Sequence, residues 1–170
     1  MSETVIQVTS LGKRIKGKTI LEDISFEINK GDCVALIGPN GAGKTVLMSC
    51  ILGDKKPSSG QVLIDGKAGK AKNKIAVLLQ ENTIPNSLKV EELIAFFQSI
   101  SDNPLTNQEV QELLQFKEDQ YQQFADKLSG GQRRLLAFVL CLIDKPKILF
   151  LDEPTAGMDT STRQRFWEIV

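Results

Sequence analysis

The 170-residue chain predicts an α/β fold: a largely parallel sheet with helices on it, preceded by a β-rich segment and interrupted by an all-helical insertion. Three observations carry that prediction. Short apolar runs of strand length alternate with longer apolar-periodic segments of helix length. One run, CVALIG, passes through a glycine-rich turn directly into a helical segment. Near Asn82 the strand signals give way to two successive amphipathic helices.

In chain order, VIQVTSL and ISFEI read as strands. Cys33–Gly38 is a short continuous apolar run, the pattern of a strand buried on both faces. KTVLMSCILG follows as a helix ending at Gly53, and SSGQVLIDGK as a turn, a strand and a second turn at Asp65–Gly66. KIAVLLQ, Lys74 to Gln80, is a further buried strand. NTIPNS is a loop, then LKVEELIAFFQSI and TNQEVQELLQF are helices. Thr106 with Glu109 forms the capping box of the second, and Val110, Leu113 and Leu114 form its apolar face. LSGGQRRLLAFVLCLI starts another helix near Gly131, KILFLDEP is a strand, and Ser161 with Gln164 fits a capping box for a last helix. That helix carries Phe166, Trp167, Ile169 and Val170 and meets no stop signal. The predicted division is 1–85 with 127–170 as the core and 86–126 as the helical insertion.

Composition narrows the function. Apolar residues are 41% and charged residues 25%, the mixture of ordinary globular domains. A formal net charge of zero removes the global electrostatic case for a nucleic-acid or anionic-membrane partner. The basic clusters KRIKGK and KAGKAKNK read as solvated loops. No apolar run reaches bilayer length, and MSETVIQ lacks the features of a secretion signal. Cys33, Cys50 and Cys141 are far apart in apolar stretches, which predicts buried reduced thiols in a cytosolic protein.

Two motifs carry chemistry. GPNGAGKT, Gly38 to Thr45, fits G-x-x-x-x-G-K-[ST] between a strand and a helix. Glycines let successive backbone N–H groups converge on phosphate oxygens, and the helix start adds about half a positive charge. Lys44 would reach the β- and γ-phosphates of ATP, and the Thr45 hydroxyl would hold Mg²⁺. In KILFLDEP, Asp152 and Glu153 emerge at a strand's C-terminal end, where open α/β sheets bind ligands. Asp152 suits Mg²⁺, and Glu153 suits a general base on the attacking water. Together they predict a P-loop NTPase.

LSGGQRR, Leu128 to Arg134, resembles the signature motif of ATP-binding cassette (ABC) ATPases. Gln80 looks like that family's Q-loop glutamine and Gly157–Asp159 like its D-loop, in the family's order. The resemblance implies a RecA-like parallel core with an N-terminal antiparallel β part. It assigns Gly38, Asn40, Gly41, Gly43, Lys44, Thr45 and Val46 to nucleotide binding, and Thr45, Gln80 and Asp152 to Mg²⁺. Catalysis falls to Glu153, Gln80 and Lys44. Ser129, which can cap its helix, acts with Gly131 and Gln132 at the nucleotide held by a second ATPase subunit, in a head-to-tail dimer, and Asp159 of the D-loop joins the nucleotide-binding residues. The other implied partner is a transmembrane transporter subunit, which places the chain on the cytoplasmic face of the membrane.

The sequence departs from the family at two places. Ile15 stands where many members have an adenine-stacking tyrosine, which predicts weaker base selectivity. Only 17 residues follow Glu153 and the chain has no histidine, so the family's switch histidine lies outside it. The expectation is a cassette lacking its last strands, of poor stability and little activity by itself. SLKVEELIAFF and GMDTSTRQRFWEIV look most like exporter cassettes of drug, antibiotic or peptide type. Two alternatives remain: a ribosome- or DNA-associated ABC ATPase, and a nucleotide-binding module without turnover.

Overall fold

A computed structural model describes residues 3–68, 75–79, 84–85 and 87–170. The chain forms two compact units, Met1–Lys72 and Asn73–Val170.

The first unit is built on β1 (Thr4–Ile15) and β2 (Lys18–Asn29), paired antiparallel from Thr4–Asn29 to Ile15–Lys18. Lys16 and Gly17 both have positive φ, the two-residue hairpin turn that matches the twist of its strands. The basic cluster Lys13–Lys18 therefore straddles a hairpin tip. β3 (Ser59–Ile64) pairs antiparallel with the other edge of β1, and β4 (Lys67–Ala68) extends the sheet to the order β2-β1-β3-β4. Asp65 and Gly66, also at positive φ, make the β3–β4 turn. Ile6, Val8, Leu11, Leu21 and Ile64 are buried. α1 (Lys44–Ile51) lies against β2 and buries Leu47, Cys50 and Ile51.

Cys33–Gly38 differs from expectation. It is not paired in a strand; Val34 and Ile37 are 59% and 89% exposed, and Cys33 is exposed too. A strand exists only where a neighbour completes its ladder, and the four-stranded sheet of this unit takes β4 and β2 as its edges instead. The thiols thus divide: Cys50 is buried, Cys141 half-buried and Cys33 exposed, all free. Burial raises the pKa of Cys50 and of Cys141.

The second unit centres on α5 (Gly130–Leu142), whose residues Arg134–Leu140 are all buried. A parallel pair, β5 (Ile75–Leu78) and β6 (Ile148–Leu151), runs in register from Ile75–Ile148 to Leu78–Leu151 and packs on α5. α2 (Val90–Ser99) and α3 (Asn107–Leu114) also pack on α5 through Val90, Leu93, Val110 and Leu114. The Thr106–Glu109 capping box is formed in both directions. A short helix missed in the sequence, α4 (Glu118–Gln122), packs on α2 and buries Tyr121. α6 (Thr160–Ile169) docks on α5, its Phe166 ring 4.3 Å from that of Phe138. The apolar residues of this last helix thus part company: Phe166 is fully buried, whereas Trp167 is 54% exposed. Among the described residues no helix is long and apolar enough to cross a membrane.

Candidate functional site

In the first unit the glycine-rich stretch Gly38–Ala42 forms an exposed loop leading into α1. Gly43 is the N-cap of that helix, with φ 93°, and no side chain caps its first turn. The first N–H groups of α1 are thus left to an external acceptor, the property an anion site needs. Gly41 also has positive φ, at 82°. Lys44 Nζ donates to the carbonyls of Gly38 and Pro39 at 2.6 and 3.0 Å, folding the ammonium over the loop. Thr45 and Asn40 are exposed and Val46 is half-buried. Ile15 is half-buried at the end of β1, opposite Lys18.

In the second unit the parallel strands end side by side, and Asp152 N–H donates to the Leu78 carbonyl at 2.9 Å, carrying the ladder one step further. Glu153 follows with φ 45°, the left-handed region, which costs a non-glycine residue on the order of 1–3 kcal/mol. Asp152 is half-buried and Glu153 exposed. Gln80 lies outside the described residues.

Ser129 caps α5: its hydroxyl accepts from Gln132 N–H at 3.2 Å, and Gln132 Oε1 accepts from Ser129 N–H at 3.1 Å. This reciprocal box goes beyond the single serine cap expected, because glutamine at the third helical position reaches back. Gly131 is buried at the D-loop segment; a Cβ there would sit 3.2 Å from Asp159 Oδ2. Asp159 in turn caps α6. Its carboxylate accepts from Ser161 Oγ (2.6 Å), Thr162 N–H (3.0 Å) and Thr162 Oγ1 (2.9 Å). Those donors hold its pKa well below the ordinary aspartate range, the Ser161 hydroxyl contributing most. α6 therefore starts at Thr160, and the Ser161–Gln164 box expected from sequence gives way to an aspartate cap that satisfies more donors.

Arg134 is the residue that sequence reasoning missed. It is 9% exposed, and among the described residues its guanidinium donates to the main-chain carbonyls of Pro154 at 3.1 Å, Asp152 at 3.0 Å, Glu153 at 3.3 Å, and Leu79. Burial lowers its pKa from the ordinary arginine value. The signal was its position: Arg134 is four residues from Gly130 and from Phe138, on the core-facing stripe of α5.

Within the first unit, uncapped N–H groups and an ammonium suit phosphate and the Thr45 hydroxyl suits a hard cation; within the second, the Asp152 carboxylate is a hard-cation donor by type. Among the described residues no three His, Cys, Asp or Glu side chains gather into an all-protein metal cage.

A glycine-rich turn at left-handed φ, an uncapped helix start with Lys-Thr behind it, and carboxylates at a parallel-strand exit define the P-loop class of nucleotide-binding proteins. Residues 21–156 match the family model described as ABC transporter. The chain belongs to the ABC transporter family, in the part occupied by its ATP-binding subunits. Over 164 residues it is 36% identical to a spermidine/putrescine import ATP-binding protein of Protochlamydia amoebophila, covering 91% of this chain and 44% of that protein. It is 33% identical over 178 residues to a Nod factor export ATP-binding protein of Ralstonia nicotianae, covering 98% and 55%. The chain thus spans about half the length of these relatives. Among solved structures, the ATP-binding subunit of an ABC transporter aligns with a TM-score of 0.80 at 25% identity, covering 96% of this chain and 72% of that one. The dimeric post-hydrolysis state of an ATP-binding cassette bound to ADP and Pi aligns with a TM-score of 0.78 at 20% identity, covering 96% and 80%, a likeness of fold.

Proposed function

We propose that this chain is the ATP-binding and ATP-hydrolysing part of an ABC transporter. The observation that carries the reading is the turn at Gly43, which leaves the first N–H groups of α1, those of Lys44 and Thr45 among them, without a side-chain cap. The P-loop N–H groups and Lys44 bind and orient the phosphates. Thr45, Asp152 and Gln80 would hold Mg²⁺, which would supply positive charge to neutralise the phosphates. Glu153 accepts a proton from the attacking water and so raises its nucleophilicity. Ile15 covers one face of the base by dispersion.

Ser129, Gly131, Gln132 and Asp159 serve the nucleotide of a second ATPase subunit across a head-to-tail interface. We assign residues 1–85 with 127–170 to the core and residues 86–126 to the helical subdomain. A transmembrane subunit docks there, so the chain works peripherally on the cytoplasmic face of the membrane. The direction we assign is export, from the segments Ser87–Phe97 and Gly157–Val170. A Nod factor exporter and a polyamine importer stand at similar identity, so transport measured in inverted vesicles is the test of direction.

Glu153→Gln tests the chemistry in the whole protein with its partners. Turnover should fall about 10²-fold or more, the scale of a lost general base, while ATP binding persists and dimers accumulate. Unchanged turnover would refute the role given to Glu153.

A further inference from the structure

We propose that Arg134 is a positioning residue for the hydrolytic carboxylates: it ties the helix that begins with the signature segment to the exits of β5 and β6. The inference rests on the ATPase reading above. A guanidinium has five N–H donors in a fixed plane. Here four main-chain oxygens accept from it, three of them from the consecutive residues Asp152, Glu153 and Pro154. The fourth is the carbonyl of Leu79, one residue ahead of Gln80.

This pattern differs from an ordinary buried arginine. These four acceptors are main-chain oxygens, so the contacts orient backbone, and the charge of the Asp152 carboxylate also acts on the guanidinium. Three successive carbonyls can meet one side chain only where the chain turns sharply. Glu153 makes that turn by adopting φ 45°. Arg134 therefore supports the backbone turn on which Asp152 and Glu153 leave the end of β6. It stands at the fifth position of α5, within the same rigid element as the Ser129 cap. The neighbouring Arg133 points elsewhere, donating to the Asp126 carbonyl at 2.7 Å.

The experiment compares Arg134→Met and Arg134→Lys with wild type in the whole protein with its partner subunits. It measures ATP affinity, kcat, and the Mg²⁺ concentration needed for half-maximal rate. Arg134→Met should lower kcat about tenfold or more, the scale of a small misplacement of reacting groups, with ATP affinity within about twofold because the P-loop is untouched. Half-maximal rate should need more Mg²⁺, since Asp152 is displaced. Lysine keeps the charge but offers one nitrogen in place of a planar fork, so it should restore folding and only part of kcat. If Arg134→Met fails to fold, Arg134→Lys carries the test. Wild-type kcat and Mg²⁺ dependence in a folded variant overturn the inference, and so does a loss of ATP affinity as large as the loss of kcat. A wild-type protein that does not hydrolyse ATP defeats the ATPase reading itself and takes this inference with it.

Discussion

Gly43 is held by two independent constraints. Its φ of 93° excludes side chains from easy occupancy, and an added Cβ would sit 2.9 Å from Leu21 Cδ2 and 3.3 Å from the Ile20 carbonyl. The backbone carbonyl cannot yield as a flexible side chain end can. Gly43→Ala should therefore rotate the first turn of α1 and cost about 1–3 kcal/mol of stability. Nucleotide affinity should drop about tenfold or more, as the first N–H groups lose their aim. Calorimetric titration with Mg-ATP beside urea unfolding measures both, and native affinity in the alanine variant would show that the turn does not set the phosphate site. Gly43 was legible in the sequence because its residue type advertises its conformation. Glu153, at φ 45°, was not, because glutamate gives no sign of a left-handed backbone. Arg134 was hidden similarly: an arginine in a helix normally points to water, and only the tertiary structure supplies four carbonyls to bury it.

Helices announced themselves through their caps more reliably than through their lengths. Thr106–Glu109 and Ser129 were readable because a capping side chain acts within three residues of itself. The start of α6 was misread because Asp159 and Ser161 are both good caps, and the choice depends on which gathers more donors. Asp159 gathers three. That choice has a pH signature. Since the folded carboxyl titrates below the ordinary aspartate value of about 3.9, its contribution is complete above that value. It is lost as pH falls through the lower folded value. Stability held by α6 should therefore decline on acidification below about pH 4. Asp159→Asn keeps an oxygen for the Thr162 N–H but has no charge to lose. The stability difference between wild type and Asp159→Asn, followed by thermal melts from about pH 6 to about pH 2.5, should shrink as pH falls. A difference that stays constant would mean that the charge on Asp159 does no work in the cap.

At the scale of the molecule, apolar pattern revealed which segments seek burial but not what buries them. β5 and β6 were legible as apolar runs and do pair in parallel, whereas the equally apolar Cys33–Gly38 is unpaired. Likewise β4 and α4 are too short for periodicity to register, and both depend on a neighbouring element for their place. The strongest case of a legible core is α5, whose run LLAFVLCL is apolar on every side and is surrounded by α2, α3, α6 and β5. A helix packed on so many sides cannot collapse around a deleted side chain as a surface helix can. Leu136, fully buried there, tests this. Leu136→Ala should cost about 2–5 kcal/mol, because the cavity keeps most of its volume. Trp167, the one tryptophan in the sequence, reports the event: it meets Phe166 edge-on at 5.1 Å, and Phe166 lies against Phe138 of α5. Urea unfolding followed by its fluorescence should show a lower midpoint with an unchanged slope, the mark of lost stability without a change in the surface exposed. A cost below about 1 kcal/mol would mean that α5 can relax into the vacated space, and that it is not the rigid centre of its unit.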